Sequence, residues 1–148
     1  MNFVNIKPIL SADDFASVDA VLGFPFPEEL RSHYLRFNGG HPVRNLFVKD
    51  GRSFSVEEFL PIKYGMRGQS LEDTYRTVVL DNELFPTKMI PIANDASGDY
   101  FCYSIRPGEV GSIYFFRSEY YDDPKRSLIF LSNDLPTFLA SLVKEDPV

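Results

Sequence analysis

Apolar residues fall at Phe15, Val18 and Leu22, three and four positions apart, which puts them on one face of a helix. The preceding Ser11-Ala12-Asp13-Asp14 has the Ser-x-x-acid form of a helix start, and Gly23 marks its end. Pro25 and Pro27 bar a helix from crossing the next gap. Pro27 suits the first helical position of a second helix, where the missing N–H has no partner to lose. Glu28 and Glu29 then occupy the first turn, at the positive end of the helix dipole, and Leu30, Tyr34 and Phe37 recur at i, i+4 and i+7. Asn38, Gly39 and Gly40 tolerate positive φ as the chain leaves the last turn, and Pro42 prevents the helix from resuming.

From Asn45 the period changes to two. Asp50-Gly51 is a hairpin signal, with strands expected at about Leu46–Lys49 and Ser53–Phe59. Ser70-Leu71-Glu72-Asp73 is another capped start, and Leu71, Tyr75, Val78 and Val79 form a helical stripe ending near Asn82. The second half reads as strands rich in Ile, Phe and Tyr: KMIPIA, DYFCYSI, SIYFFR and SLIFL, three or four of them in one antiparallel sheet. Arg106–Gly111 is a hairpin connection, and Ser118 to Arg126 is a longer polar loop. Asn133-Asp134-Leu135-Pro136 starts a closing helix with Leu135, Phe138, Leu139, Leu142 and Val143 along one side. The order of elements predicts an α+β fold: a single domain over residues 1–148, with helices packed on a mixed or largely antiparallel sheet.

A chain of 148 residues is long enough to bury one core without disulfides or metals. With 14 Phe and 8 Tyr, aromatic residues must furnish both that core and part of the surface. Cys102 stands alone, so neither an internal disulfide nor a cysteine-pair zinc site is available, which fits a reducing compartment. Residues 1–10 carry one lysine and are interrupted by Pro8; no secretory signal or membrane span is readable, and the expected location is cytoplasmic. The net charge of −6 disfavours nucleic-acid phosphates and anionic membranes as partners and would steer a basic protein toward the chain.

Candidate chemistry is sparse. The histidines are His33 and His41. His33 lies at the edge of the helix's apolar face, where a hydrogen-bonded structural histidine is expected, and no acid is placed by sequence to orient His41. Cys102 alternates with Phe101 and Tyr103 as a small core residue would. The acidic run Asn94 to Asp99 lacks the downstream glutamate of an EF-hand and reads as a tight turn whose Asp95 and Asp99 bond backbone amides. No phosphate-binding glycine pattern is present, and no catalytic residue, metal or cofactor is expected. Recognition remains, and Arg117-Ser118-Glu119-Tyr120-Tyr121-Asp122-Asp123 is its best-placed stretch. Tyrosines there offer rigid contact area, and the carboxylates can pair with Arg or Lys on a partner. The alternative is a solvated loop with one tyrosine folded into the core.

The order of motifs resembles the SMI1/KNR4 family, or SUKH superfamily. Phe26-Pro27-Glu28-Glu29-Leu30 followed by Asn38-Gly39-Gly40 is similar to its N-terminal signature. Ile90 to Phe101, with the Gly98-Asp99 step before an aromatic strand, resembles its second element. Ile113 to Phe116, Glu119 to Asp123 and Leu135 to Leu142 resemble its strand, acidic loop and closing helix. The chain departs from the family pattern at Phe116-Arg117-Ser118-Glu119, where an Asp-His-Glu-like group often stands and only Glu119 corresponds. The resemblance implies a non-enzymatic immunity protein that neutralises a cognate bacterial toxin, often a nuclease, and the chain's acidity would then suit a toxin with a basic surface. On that reading Glu119, Tyr120, Tyr121, Asp122, Asp123, Asp95 and Asp99 are the expected contacts, Pro27, Asn38, Gly39, Gly40 and Gly98 have structural roles, and the protein is a monomer or weak homodimer. A regulatory or scaffold module of the same family is the alternative, and a small hydrolase using Cys102 or His41 is a third.

Overall fold

A computed structural model of the chain describes residues 2–82 and 85–145. Among them run β1 (Phe3–Val4), α1 (Ala12–Leu22), α2 (Glu28–Arg36), β2 (His41–Pro42), β3 (Leu46–Lys49), β4 (Arg52–Ser55) and β5 (Glu58–Phe59). There follow α3 (Leu71–Thr74), a π-helical segment (Tyr75–Leu80), β6 (Met89–Asn94), β7 (Tyr100–Ser104) and β8 (Ile113–Phe116). A 3₁₀ turn (Ser118–Tyr120), α4 (Pro124–Ser127), β9 (Leu128–Ser132) and α5 (Leu135–Ala140) complete the described elements.

Strands β5 to β9 hydrogen-bond in sequence order as a five-stranded antiparallel sheet, and β3 and β4 form the expected hairpin. A third pair, β1 with β2, is joined to the large sheet through a bridge from Gly40 to Phe59. The result is a single α+β domain with helices on an antiparallel sheet, as the order of motifs predicts.

Alternation along the strands sends the two sets of side chains to different tasks. Phe101, Tyr103, Ile113, Phe115 and Leu131 face the main core, where Phe15, Leu30, Tyr34 and Phe138 from α1, α2 and α5 meet them. Cys102 and Phe116 face the other way, into a smaller cluster with Met89 and Phe85, against which Val78 and Val79 pack.

The first helix obeys its sequence signals: Ser11 and Asp14 form a reciprocal capping box, and Gly23 ends the helix at φ 84°. The second differs in detail. Pro27 occupies the cap position, not the first helical one, because its ψ of 136° is extended. At the other end Phe37 leaves the helix in an extended conformation, so no left-handed residue is needed there. Asn38 serves a different purpose: its Nδ2 donates to the carbonyls of Ile62 (3.0 Å) and Pro8 (3.2 Å), and its Oδ1 accepts from the Ile62 N–H at 2.7 Å. Gly39 and Gly40 are left-handed, and a Cβ on either would lie 2.7 Å from Pro61 Cβ or 2.6 Å from the Val4 carbonyl oxygen. The Asn-Gly-Gly step is thus a junction binding the N-terminal segment and the Pro61–Ile62 backbone to the end of α2.

Two further expectations are corrected. The second hairpin strand stops at Ser55, and Glu58–Phe59 crosses into the large sheet by pairing with β6. The helix expected from Leu71 to near Asn82 is α-helical only to Thr74 and then widens into π-helix through Leu80, which lets the adjacent Val78 and Val79 both reach apolar neighbours.

Candidate partner-binding surface

The β6–β7 turn and the β8–β9 connection emerge at the same end of the sheet, because Tyr100 pairs with Phe116 where β7 enters and β8 leaves. In the first, Asp95 Oδ1 accepts from the Ser97 N–H (3.0 Å), the Ser97 hydroxyl (2.8 Å) and the Asp99 N–H (2.9 Å). Gly98, at φ 93°, completes this turn, so the expectation that Asp95 bonds backbone amides holds. Asp99 reaches across: its Oδ1 accepts from the Ser118 N–H (3.1 Å) and hydroxyl (2.7 Å), tying the two loops together.

The second loop is more ordered than a polar linker. Asp123 accepts from the Lys125 (3.1 Å) and Arg126 (3.3 Å) N–H groups and caps α4. The Arg117 guanidinium donates to the Arg126 carbonyl through both Nε and Nη2. Tyr120 is held between two cations, with its ring centroid 4.4 Å from Arg117 Cζ and 4.0 Å from Arg126 Cζ. It is the half-buried tyrosine of the pair, clamped by arginines rather than folded into the core.

Glu119, Tyr121 and Asp122 remain. All are exposed, and among the described residues the two carboxylates have no ion-pair partner. Tyr121 is 49% exposed and borders a hollow of about 130 Å³ lined by Val78, Phe85, Tyr100 and Phe116. The structure therefore brings all seven expected contact residues to one end of the sheet but divides their work. Asp95, Asp99, Tyr120 and Asp123 hold the loops in shape, and Glu119, Tyr121 and Asp122 face solvent from that frame. Sequence reading overlooked the cationic side of this surface: Arg117, Lys125 and Arg126 balance Glu119, Asp122 and Asp123, and only Asp95 and Asp99 make it acidic. The arginines flanking Tyr120 were the available signal.

The remaining candidates lie elsewhere. Cys102 is fully buried, and burial pushes its thiol far above the usual range, so little thiolate forms near neutral pH. His33 is buried among Phe3, Tyr34, Phe37 and Phe59, as its position suggested, but its Nε2 has no hydrogen-bond partner, contrary to the expected bonded histidine. Desolvation first, then the nearby Arg36 charge, lower its pKa to about 4 and keep the ring neutral. His41 does have an acid beside it: Glu58 Oε2 is 3.7 Å from Nε2, while Nδ1 lies 2.6 Å from the Glu57 carbonyl oxygen. The antiparallel bridge between Gly40 and Phe59, invisible to local spacing, sets Glu58 beside His41. Among the described residues no group of three or more His, Cys, Asp or Glu could hold a metal ion, and no helix is long and apolar enough to cross a membrane.

These features define the class: a small α+β domain on an antiparallel sheet, with loops presented at one sheet end. Within that class the chain belongs to the SMI1 / KNR4 family (SUKH-1), whose sequence profile matches residues 9–141. The matched span includes Pro27, the Asn38–Gly40 junction, the Asp95–Asp99 turn and α5. The family is known for immunity proteins of polymorphic toxin systems and is generally non-enzymatic. No curated protein matches the chain in sequence.

Proposed function

We propose that this protein is a cytoplasmic immunity protein that binds and neutralises a cognate toxin without chemistry of its own. Its contact surface is the end of the sheet formed by Glu119, Tyr120, Tyr121, Asp122 and Asp123 with Asp95 and Asp99. The observation that carries the reading, beside family membership, is an exposed Tyr121 and Asp122 on a loop already fixed by hydrogen bonds and the double arginine clamp. A loop ordered before association loses less entropy on binding, so the contacts of the side chains it carries translate more fully into affinity. The net charge of −6 supports a toxin with a basic face, such as a nuclease, because opposite fields accelerate encounter and select the partner.

The test is co-expression with the toxin domain encoded beside this chain. Protection of the host cells and a complex that co-elutes in size exclusion are the expected outcome. A toxin that kills undiminished in the presence of well-folded protein sinks the proposal. A chain with no toxin gene beside it, bound instead to a cellular protein, points to the regulatory alternative.

A further inference from the structure

Away from that surface, a groove of about 800 Å³ runs between α2 and α5. We propose that it is a second docking site, taking a short peptide segment of a protein partner that combines carboxylates with apolar side chains. The proposal does not depend on the toxin reading. The loops of the first surface lie where β9 begins, whereas α5 starts beyond the end of β9.

Part of its lining is apolar: Phe37, Val43, Leu139 and Ala140 stand beside His33, whose ring is neutral and whose Nε2 is buried without a partner. Its cations are Arg36 and Arg44, both exposed. In a chain with 21 acidic and 15 basic side chains, neither arginine has an ion pair among the described residues; those present join His41 to Glu58, Lys63 to Asp14 and Arg76 to Asp73. Arg36 rests its guanidinium 5.2 Å from the Phe37 ring centroid, leaving its N–H groups available. The acid on the groove wall, Glu29, is already engaged: its Oε1 accepts from the Tyr103 hydroxyl (3.2 Å) and the Leu135 N–H (3.4 Å).

Two unpaired guanidinium groups beside apolar side chains in one groove select a ligand with carboxylates spaced along an apolar segment, since each guanidinium can bind a carboxylate through two parallel N–H···O bonds. The groove is an open trough between two helices, which suits a peptide lying along it better than a small molecule needing near-complete enclosure. The arginines alone would accept a phosphate as readily as a carboxylate; the apolar lining beside them, which a phosphate backbone would leave uncovered, favours a segment that also carries apolar side chains.

The test pans a phage-displayed library of random short peptides against the full chain and measures the best-enriched peptide by fluorescence anisotropy. Enriched sequences should combine Asp or Glu with Leu, Ile or Phe. Affinity should fall by about tenfold or more in Arg36→Gln/Arg44→Gln and in Ala140→Trp, which plugs the trough, but not in Tyr121→Ala/Asp122→Ala. Amide chemical-shift mapping on the unaltered protein should place the peptide at Arg36, Val43, Arg44 and Leu139, a readout that stands even where a variant folds poorly. Enrichment of basic peptides, absence of enrichment, or shifts elsewhere on the surface overturns the proposal. So does a concentration-dependent dimer that Ala140→Trp abolishes, which would assign the groove to a second copy of this chain.

Discussion

At the scale of single residues, His33 and Asn38 are each held by partners distant in sequence, Phe3 and Phe59 around the first and Pro8 and Ile62 around the second. His33 was placed by its spacing at the margin of an apolar face, but the ring's surroundings come from Phe3 and Phe59, distant in sequence, which complete the desolvation. Its folded pKa of about 4 lies below the ordinary value of 6.5, so between these limits the unfolded chain binds a proton that the folded chain does not. Stability attributable to His33 is therefore full above pH 6.5 and declines as pH falls toward 4. From neutral pH to about pH 5 the loss is about 2 kcal/mol. Urea denaturation should show this decline, and His33→Phe should flatten it while raising stability most at the acid end. Asp14 and Asp134 contribute in the same direction: backbone and Lys63 hydrogen bonds lower the first and Thr137 the second, so both lose their stabilising effect as acid protonates them. An equally steep decline in His33→Phe would assign the whole acid sensitivity to such carboxylates. Asn38 is the second case. Asn38→Ala leaves the Ile62 N–H and two carbonyls without their partner in a buried place, at a cost of about 3 kcal/mol measurable as a lowered denaturation midpoint.

Among the elements, those with local signals were legible and those defined by distant partners were not. Ser11, Ser70 and Asp134 each announce a helix start, and each side chain accepts the expected backbone N–H. Asp50-Gly51 sets the tight hairpin with both residues at positive φ. The Asn38-Gly39-Gly40 step was legible as a break but not as a junction, because what requires the glycines is the approach of Pro61 and Val4. Gly39→Ala and Gly40→Ala should each destabilise strongly, whereas Gly51→Ala, with open space around its Cβ, meets only the backbone cost of its left-handed φ. The π-helical turn after Thr74 carries no sequence mark distinguishing it from α-helix. At the contact loop, Asp123→Ala removes the cap of α4, costing about 1 kcal/mol, and loosens the frame that presents Tyr121. Thermal melting should register the small loss of stability, and toxin binding should weaken more than that loss alone implies.

For the whole molecule, the fold class was readable because period, turn residues and caps agree along the chain, a consistency expected of a sequence that specifies one structure. The sites were less readable. The acidic and tyrosine-rich loop stood out by composition, but that Asp95 and Asp99 adjoin it follows only from strand pairing. The groove between α2 and α5 left no signal, since its walls are about a hundred residues apart in sequence. Charge acts at this scale too: association with a basic toxin should slow as ionic strength rises, while dissociation changes little. The most direct measurement of the central claim is the kinetics of toxin binding for the unaltered protein beside Tyr121→Ala/Asp122→Ala, with both shown to be folded. The account predicts a tight complex for the first and, for the second, an affinity reduced roughly thirty-fold, chiefly through faster dissociation. A complex of unchanged affinity and dissociation rate in the double variant would contradict it.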